Sequence, residues 1–188
     1  MMVSTATRGI TWEEYLNLPL THYEIIDGEM KELPTPLFKH QRIVMRLGRY
    51  LDALAEEERN GLVIPAPYDI VIQRTPLRTR QPELLFIRWE RAQQIPDLPN
   101  QPRLEIAPDL VIEVLSPSDT ASDWIEKLRD YHRIGVQEVW AVDPQSASVE
   151  VLRWAEESWR SLGVFTGEQP IVSELMGTVK LTPNNLFV

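Results

Sequence analysis

The stretch Asp109-Leu110-Val111-Ile112-Glu113-Val114-Leu115-Ser116-Pro117-Ser118-Asp119 is an apolar run with one carboxylate at its centre, closed by a serine- and proline-rich turn. Leu110 to Leu115 is nearly all apolar, the pattern of a central strand covered on both faces. Ser116 to Asp119 supplies turn and N-cap chemistry, and a helix is predicted from about Asp119 to Ile134 with Gly135 as its stop. Glu138-Val139-Trp140-Ala141-Val142-Asp143 reads as a second buried strand. Strand, helix and strand in that order predict a right-handed βαβ crossover with parallel strands, and hence an α/β fold.

Upstream, Ile70-Val71-Ile72 and Leu84-Leu85-Phe86-Ile87 read as strands, with the arginine-rich Arg74 to Arg80 between them as a hairpin loop. From Phe38 to about Arg59 the period is helical: Ile43, Leu47, Tyr50, Leu51 and Leu54 share one side and Asn60-Gly61 is the stop. Tyr23 to Ile26 and Met30 to Leu33 flank Asp27-Gly28, a strong hairpin signal. Thr11 and Glu14 form a capping box that opens a short helix through Leu18, ended by Pro19. Pro96 to Pro108 is an ordered surface loop. Beyond Asp143, Val149, Val151 and Leu152 begin a more exposed antiparallel ending that includes Trp154, Trp159 and Val164. The expected architecture is a mixed α/β (α+β) sheet flanked by helices. At 188 residues it forms one domain, with a core from about 11 to 154 and an antiparallel extension over 155–188.

Composition narrows the chemistry. No apolar stretch approaches a membrane span, and Met1 to Arg8 has no signal core, so a cytoplasmic location is expected. The absence of cysteine excludes thiolate metal sites and cysteine nucleophiles. A net charge of −9 argues against non-specific binding to nucleic acid, whose affinity comes largely from neutralised phosphates. Charge sorted within the chain could offset this: Lys39, Arg42, Arg46 and Arg49 fall on one strip of the long helix, either a solvated face or a phosphate-facing one.

An ionised carboxylate within a central strand costs several kcal/mol unless it is compensated. Glu113 therefore requires a partner, either an arginine or a metal. Glu83 opens the neighbouring apolar strand, as an exposed strand end or as a second hard oxygen ligand suited to Mg²⁺ or Mn²⁺. Lys127 is the only lysine between Lys39 and Lys180 in a chain with 15 arginines and 4 lysines. It lies at the margin of the helix's apolar strip, Trp124, Leu128 and Tyr131, and is expected either to reach the sheet or to pair with Asp123 and Asp130 one turn away.

Tyr23-Glu24-Ile25-Ile26-Asp27-Gly28-Glu29, His40, Arg80-Gln81-Pro82-Glu83, the block from Ala107 to Thr120, Glu126-Lys127-Leu128 and Gly135 to Asp143 together closely resemble the Uma-two family of restriction endonucleases, from about Thr11 to Trp154. That resemblance implies a restriction-endonuclease-like fold of the PD-(D/E)XK superfamily and a Mg²⁺- or Mn²⁺-dependent DNA endonuclease. Glu83 and Glu113 would be the metal ligands and Lys127 the catalytic lysine, moved from strand to helix. Glu24 and His40 match family motifs as supporting residues. Leu115 stands where the superfamily motif has lysine, Glu83 where the family usually has Asp, and Asp109 spells the motif on the wrong strand. The competing expectations are an inactive nuclease-fold binding or regulatory module and an oligomeric interaction protein; DNA is the expected partner, and a homo-oligomer, most simply a dimer, the expected assembly.

Overall fold

A computed structural model describes residues 8–19, 21–177 and 179–187. Residues 1–7, on which the expectation about targeting partly rests, lie outside them. The elements in chain order are α1 (Trp12–Tyr15), β1 (Tyr23–Ile26), β2 (Glu29–Glu32), α2 (Phe38–Glu58), β3 (Gly61–Pro65), β4 (Asp69–Arg74), β5 (Leu77–Arg80), β6 (Leu84–Arg88) and α3 (Trp89–Ala92). There follow β7 (Arg103–Leu104), β8 (Leu110–Val114), α4 (Ala121–Ile134), β9 (Glu138–Asp143), β10 (Ser148–Ala155), β11 (Ser158–Thr166) and α5 (Pro183–Leu186). No helix among the described residues is long and apolar enough to cross a membrane.

The main sheet has six strands in the order β11-β10-β9-β8-β6-β3. β8 and β9 are parallel, joined through α4, and the other neighbours are antiparallel, so the sheet is mixed as expected. Alternation along the strands sorts side chains into two layers. Leu84, Phe86, Leu110, Ile112 and Trp140 pack with Ile43, Leu47 and Leu51 of α2, and Ile171, Met176, Val179, Leu181 and Leu186 close the same core. Leu85, Ile87, Val111 and Val139 face the other way, against Tyr131 of α4 and Ile70, Ile72 and Leu104 of a small second sheet. That sheet has the order β5-β4-β7.

Local chemistry sets the boundaries. Thr11 and Glu14 make the expected capping box, but α1 stops at Tyr15, one turn early, and Leu16 to Leu18 form turns. Asp27 and Gly28 both take positive φ, 52° and 87°, as a tight right-twisted hairpin requires. α2 ends when Arg59, rather than Asn60 or Gly61, adopts the left-handed conformation. α4 is capped by Thr120 and Asp123, which bond each other's backbone reciprocally, and Gly135 ends it at φ 94°.

Two expectations are overturned. The segment 96–108 is not all surface loop, since Arg103–Leu104 forms the buried strand β7, paired parallel with β4. Nor is the arginine-rich stretch a hairpin loop. Residues 77–80 of the arginine-rich stretch are not a loop but strand β5, paired antiparallel with β4, and all four are buried. The arginines tolerate burial because acids converge on them. Arg80 donates to Glu24 Oε2 at 2.8 Å and to Asp130 Oδ2 at 2.7 Å. Arg78 Nε lies 2.8 Å from both carboxylate oxygens of Asp130, and its other nitrogens meet Asp27 at 3.1 Å and Glu126 at 2.7 Å. Asp109 is likewise structural: fully buried at the start of β8, it accepts from the backbone and side chain of Arg88.

Candidate active site

Register brings the two glutamates together. Leu84 of β6 faces Ile112 of β8 in the antiparallel ladder, and one step further places Glu83 beside Glu113. By alternation Glu113 belongs with Val111 and Glu83 with Leu85, the layer facing α4. Both glutamates line one cavity of about 560 Å³, together with His40, Lys39, Gln81, Lys127 and the turn from Leu115 to Asp119. The carbonyl of Glu83 is fixed by the amide of Ala66 at 3.0 Å.

Glu113 is buried, and its compensating partner is lysine rather than arginine. Lys127 Nζ donates to Glu113 Oε2 at 2.7 Å, and the Tyr131 hydroxyl, one helical turn on, donates to Oε1. The alternative pairing of Lys127 within its helix is excluded: Asp123 caps the helix and meets Lys31, and Asp130 is held by Arg78 and Arg80. Burial pushes the Glu113 carboxyl above its ordinary pKa, although Lys127 pulls the other way. For Lys127 burial disfavours the charge, but Glu113 and Glu24 outweigh it and hold the amine above the usual lysine value. Burial and then Glu113 drive the Tyr131 phenol well up, so it stays a donor.

His40, in the first turn of α2, donates from Nε2 to Glu83 Oε1 at 2.9 Å. Burial works against its protonation, yet the Glu83 carboxylate, the Val114 carbonyl and Glu113 together raise its pKa. Glu24 lies outside the cavity lining; it accepts from Arg80 and, at 3.1 Å, from the backbone of Gln81, and so steadies the segment that leads into Glu83. Of the basic strip only Lys39 lines the cavity, where it donates to the Pro144 carbonyl at 2.7 Å. Arg46 is held by the Leu186 carbonyl at 2.8 Å, and Arg42 and Arg49 are exposed farther along α2. Sequence reasoning placed Tyr131 only on the apolar strip; its position four residues after Lys127 was the available sign that its hydroxyl reaches the same carboxylate.

The donor set suits a hard divalent cation. Glu83 and Glu113 offer carboxylate oxygens, each with a further lone pair to give. Among the described residues no group of three or more His, Cys, Asp or Glu is arranged to hold a metal. Two carboxylates with the remaining positions left to water and substrate oxygens match the way Mg²⁺ is usually held.

A mixed sheet sandwiched between helices, with two acids at the end of adjacent strands and a lysine from the crossover helix, defines a restriction-endonuclease-like α/β protein. The chain belongs to the Uma2 family, described as "Putative restriction endonuclease", whose model matches residues 12–184. A crystal structure described as a putative nuclease belonging to DUF820 from Anabaena variabilis has the same fold. Its TM-score is 0.78 at 23% identity, over 95% of this chain and 97% of that one. No curated protein sequence matches this chain.

Proposed function

We propose that this chain is a divalent-metal-dependent endonuclease that hydrolyses phosphodiester bonds in DNA. The observation that carries the reading is the 2.7 Å contact of Lys127 with Glu113 in the cavity that also holds Glu83. Glu83 and Glu113 are the residues that would hold Mg²⁺ or Mn²⁺, which when bound polarises a phosphoryl oxygen and lowers the pKa of an attached water. Lys127, kept cationic by its acidic neighbours, is positioned to orient the attacking water and to offset charge that develops on the phosphoryl oxygens. Tyr131 and Lys127 each engage one oxygen of Glu113 and so fix the plane of that carboxylate. His40 does the same for one oxygen of Glu83, and Glu24 supports the approach through Gln81. Lys39 is the member of the basic strip that is placed to meet a phosphate in the cavity, with Arg42 and Arg49 available farther along the helix.

The test is nicking of supercoiled plasmid and of single-stranded circular DNA by purified protein with Mn²⁺. Lys127→Ala is expected to reduce nicking at least ~100-fold with an unchanged circular dichroism spectrum. Equal nicking by the variant removes Lys127 from the mechanism. The His40–Glu83 pair gives a second reading some support, an inactive nuclease fold that retains a binding role. Calorimetry separates them, since that module would show no Mn²⁺ binding that depends on Glu113.

A further inference from the structure

We infer that the site takes one unstacked nucleotide at a time, and so acts on single-stranded or frayed DNA rather than on intact duplex. The inference rests on the nuclease reading and concerns what fills the rest of the cavity. Its volume of about 560 Å³ lies in the range that encloses one small-molecule-sized unit, and a continuous double helix could only lie across its mouth. The polar groups described above account for a phosphate. They do not account for the apolar wall supplied by two segments: Leu33, Pro34, Pro36 and Leu37 from the β2–α2 linker, and Leu115 and Pro117 from the β8–α4 turn. A base turned out of its stack has two apolar faces that suit such a wall.

Two further observations extend this from one nucleotide to a strand. A second cavity of about 300 Å³ shares Leu115, Ser116, Pro117, Asp119 and Gln145 with the first and adds the partly buried Trp124. The turn 115–119 thus separates two adjoining recesses, one over the acids and one beside an aromatic ring. Leu37, which lines the cavity, and its neighbour Phe38 are 73% and 81% exposed, the two most exposed of the large apolar side chains in the described residues. Phe38 sits in sequence between the cavity-lining Leu37 and Lys39.

Charge points the same way. The first cavity is lined by two lysines, Lys39 and Lys127, and by His22 and His40, against Glu83, Glu113 and Asp119. The second is lined by Asp119 and Asp143 and by no Lys or Arg. In a chain of net charge −9 such a surface offers little of the phosphate neutralisation on which duplex binding depends. Stacking of bases on exposed aromatic and apolar side chains supplies affinity without it.

The experiment is fluorescence anisotropy of a labelled 12-nucleotide oligodeoxynucleotide, single-stranded or annealed, with Ca²⁺ in place of Mn²⁺. Single-stranded DNA is expected to bind at least tenfold more tightly than duplex. Its log affinity should fall with log salt at a slope of only about −1 to −2, as roughly two phosphate contacts imply. The double variant Leu37→Ala, Phe38→Ala should lose about tenfold for the single strand and little for the duplex. Trp124→Leu, which keeps apolar bulk under the helix, should lose several-fold in the same assay. Duplex bound as tightly as single strand, a steep salt slope, or indifference to the Leu37 and Phe38 substitutions would overturn the inference. So would binding of neither DNA. Cleavage of single-stranded circular DNA and of plasmid with Mn²⁺, measured on the same preparations, judges the nuclease reading separately: cleavage of either that is lost in Lys127→Ala leaves that reading intact whatever the strand preference.

Discussion

Helix α4 carries two sets of charged groups that meet different surroundings. Asp130 and Glu126 turn toward β5, where Arg78 and Arg80 engage them and reach on to Glu24 and Asp27. Lys127 and Tyr131, their immediate neighbours in sequence, turn toward Glu113 and an open cavity. In the first set each buried acid faces at least one guanidinium, and the pairs lock the helix to the small sheet. In the second, burial outweighs the lysine and Glu113 sits above its ordinary pKa. A closed ion cluster holds structure, whereas the open one keeps a carboxylate in an unfavourable state that a cation would relieve. Perturbed carboxylates cluster at functional sites, which fits the metal-holding role proposed for Glu113.

Three substitutions sharpen the contrast. Arg80→Met leaves the buried Glu24 without a guanidinium and Asp130 with Arg78 alone, and is expected to cost about 3–5 kcal/mol in urea unfolding. A loss below about 1 kcal/mol would mean that the cluster does not hold the helix. Glu113→Gln removes a charge that burial already disfavours, and the freed Lys127 amine can be hydrated through the cavity; a stability change within about 1.5 kcal/mol of zero is expected. The same variant should weaken Mn²⁺ binding at least tenfold in calorimetry. Stability lost on the scale of Arg80→Met would erase the distinction between the clusters.

The smallest effect lies at the start of α4. Hydrogen bonds from the Thr120 side chain and backbone, with Lys31 nearby, hold the Asp123 carboxyl down to about 2. A depressed carboxylate stabilises the fold above its ordinary value near 4, and the benefit disappears as pH falls through about 2. Asp123→Ala should therefore lower the melting temperature at pH 6 by a few degrees, as loss of a cap does, with the gap closing by pH 2. A gap independent of pH would show that the carboxylate's charge contributes nothing there.

Much of this was legible in order and period. The Leu110 to Leu115 run, the helix after it and the Glu138 strand each follow from apolar spacing and turn chemistry, and the parallel β8–β9 pair follows from their order. Glu113 was conspicuous because an acid has no reason to sit in a covered strand unless something meets it. Lys127 stood out through the scarcity of lysine, but its choice of Glu113 over Asp123 or Asp130 depended on partners that come from β5 and β2. The same limit hid β5 itself. Arg78 and Arg80 look like loop residues until Glu24, 54 and 56 positions upstream, and Asp130, 52 and 50 downstream, are brought beside them. The His40–Glu83 contact joins a helix start to a strand end, and no spacing rule connects the two.

The rung that sets Glu83 beside Glu113 has a consequence in time. The two acids lie one step beyond the Leu84–Ile112 pairing of strands that are some 25 residues apart, with further segments on either side, and contacts of that separation form slowly. A slip of one position would turn one carboxylate toward the opposite face of the sheet. A partly folded molecule, even one with its helices formed, thus lacks the pair of acids. The cutting activity proposed above would therefore depend on the final registration of the sheet as well as on the residues themselves.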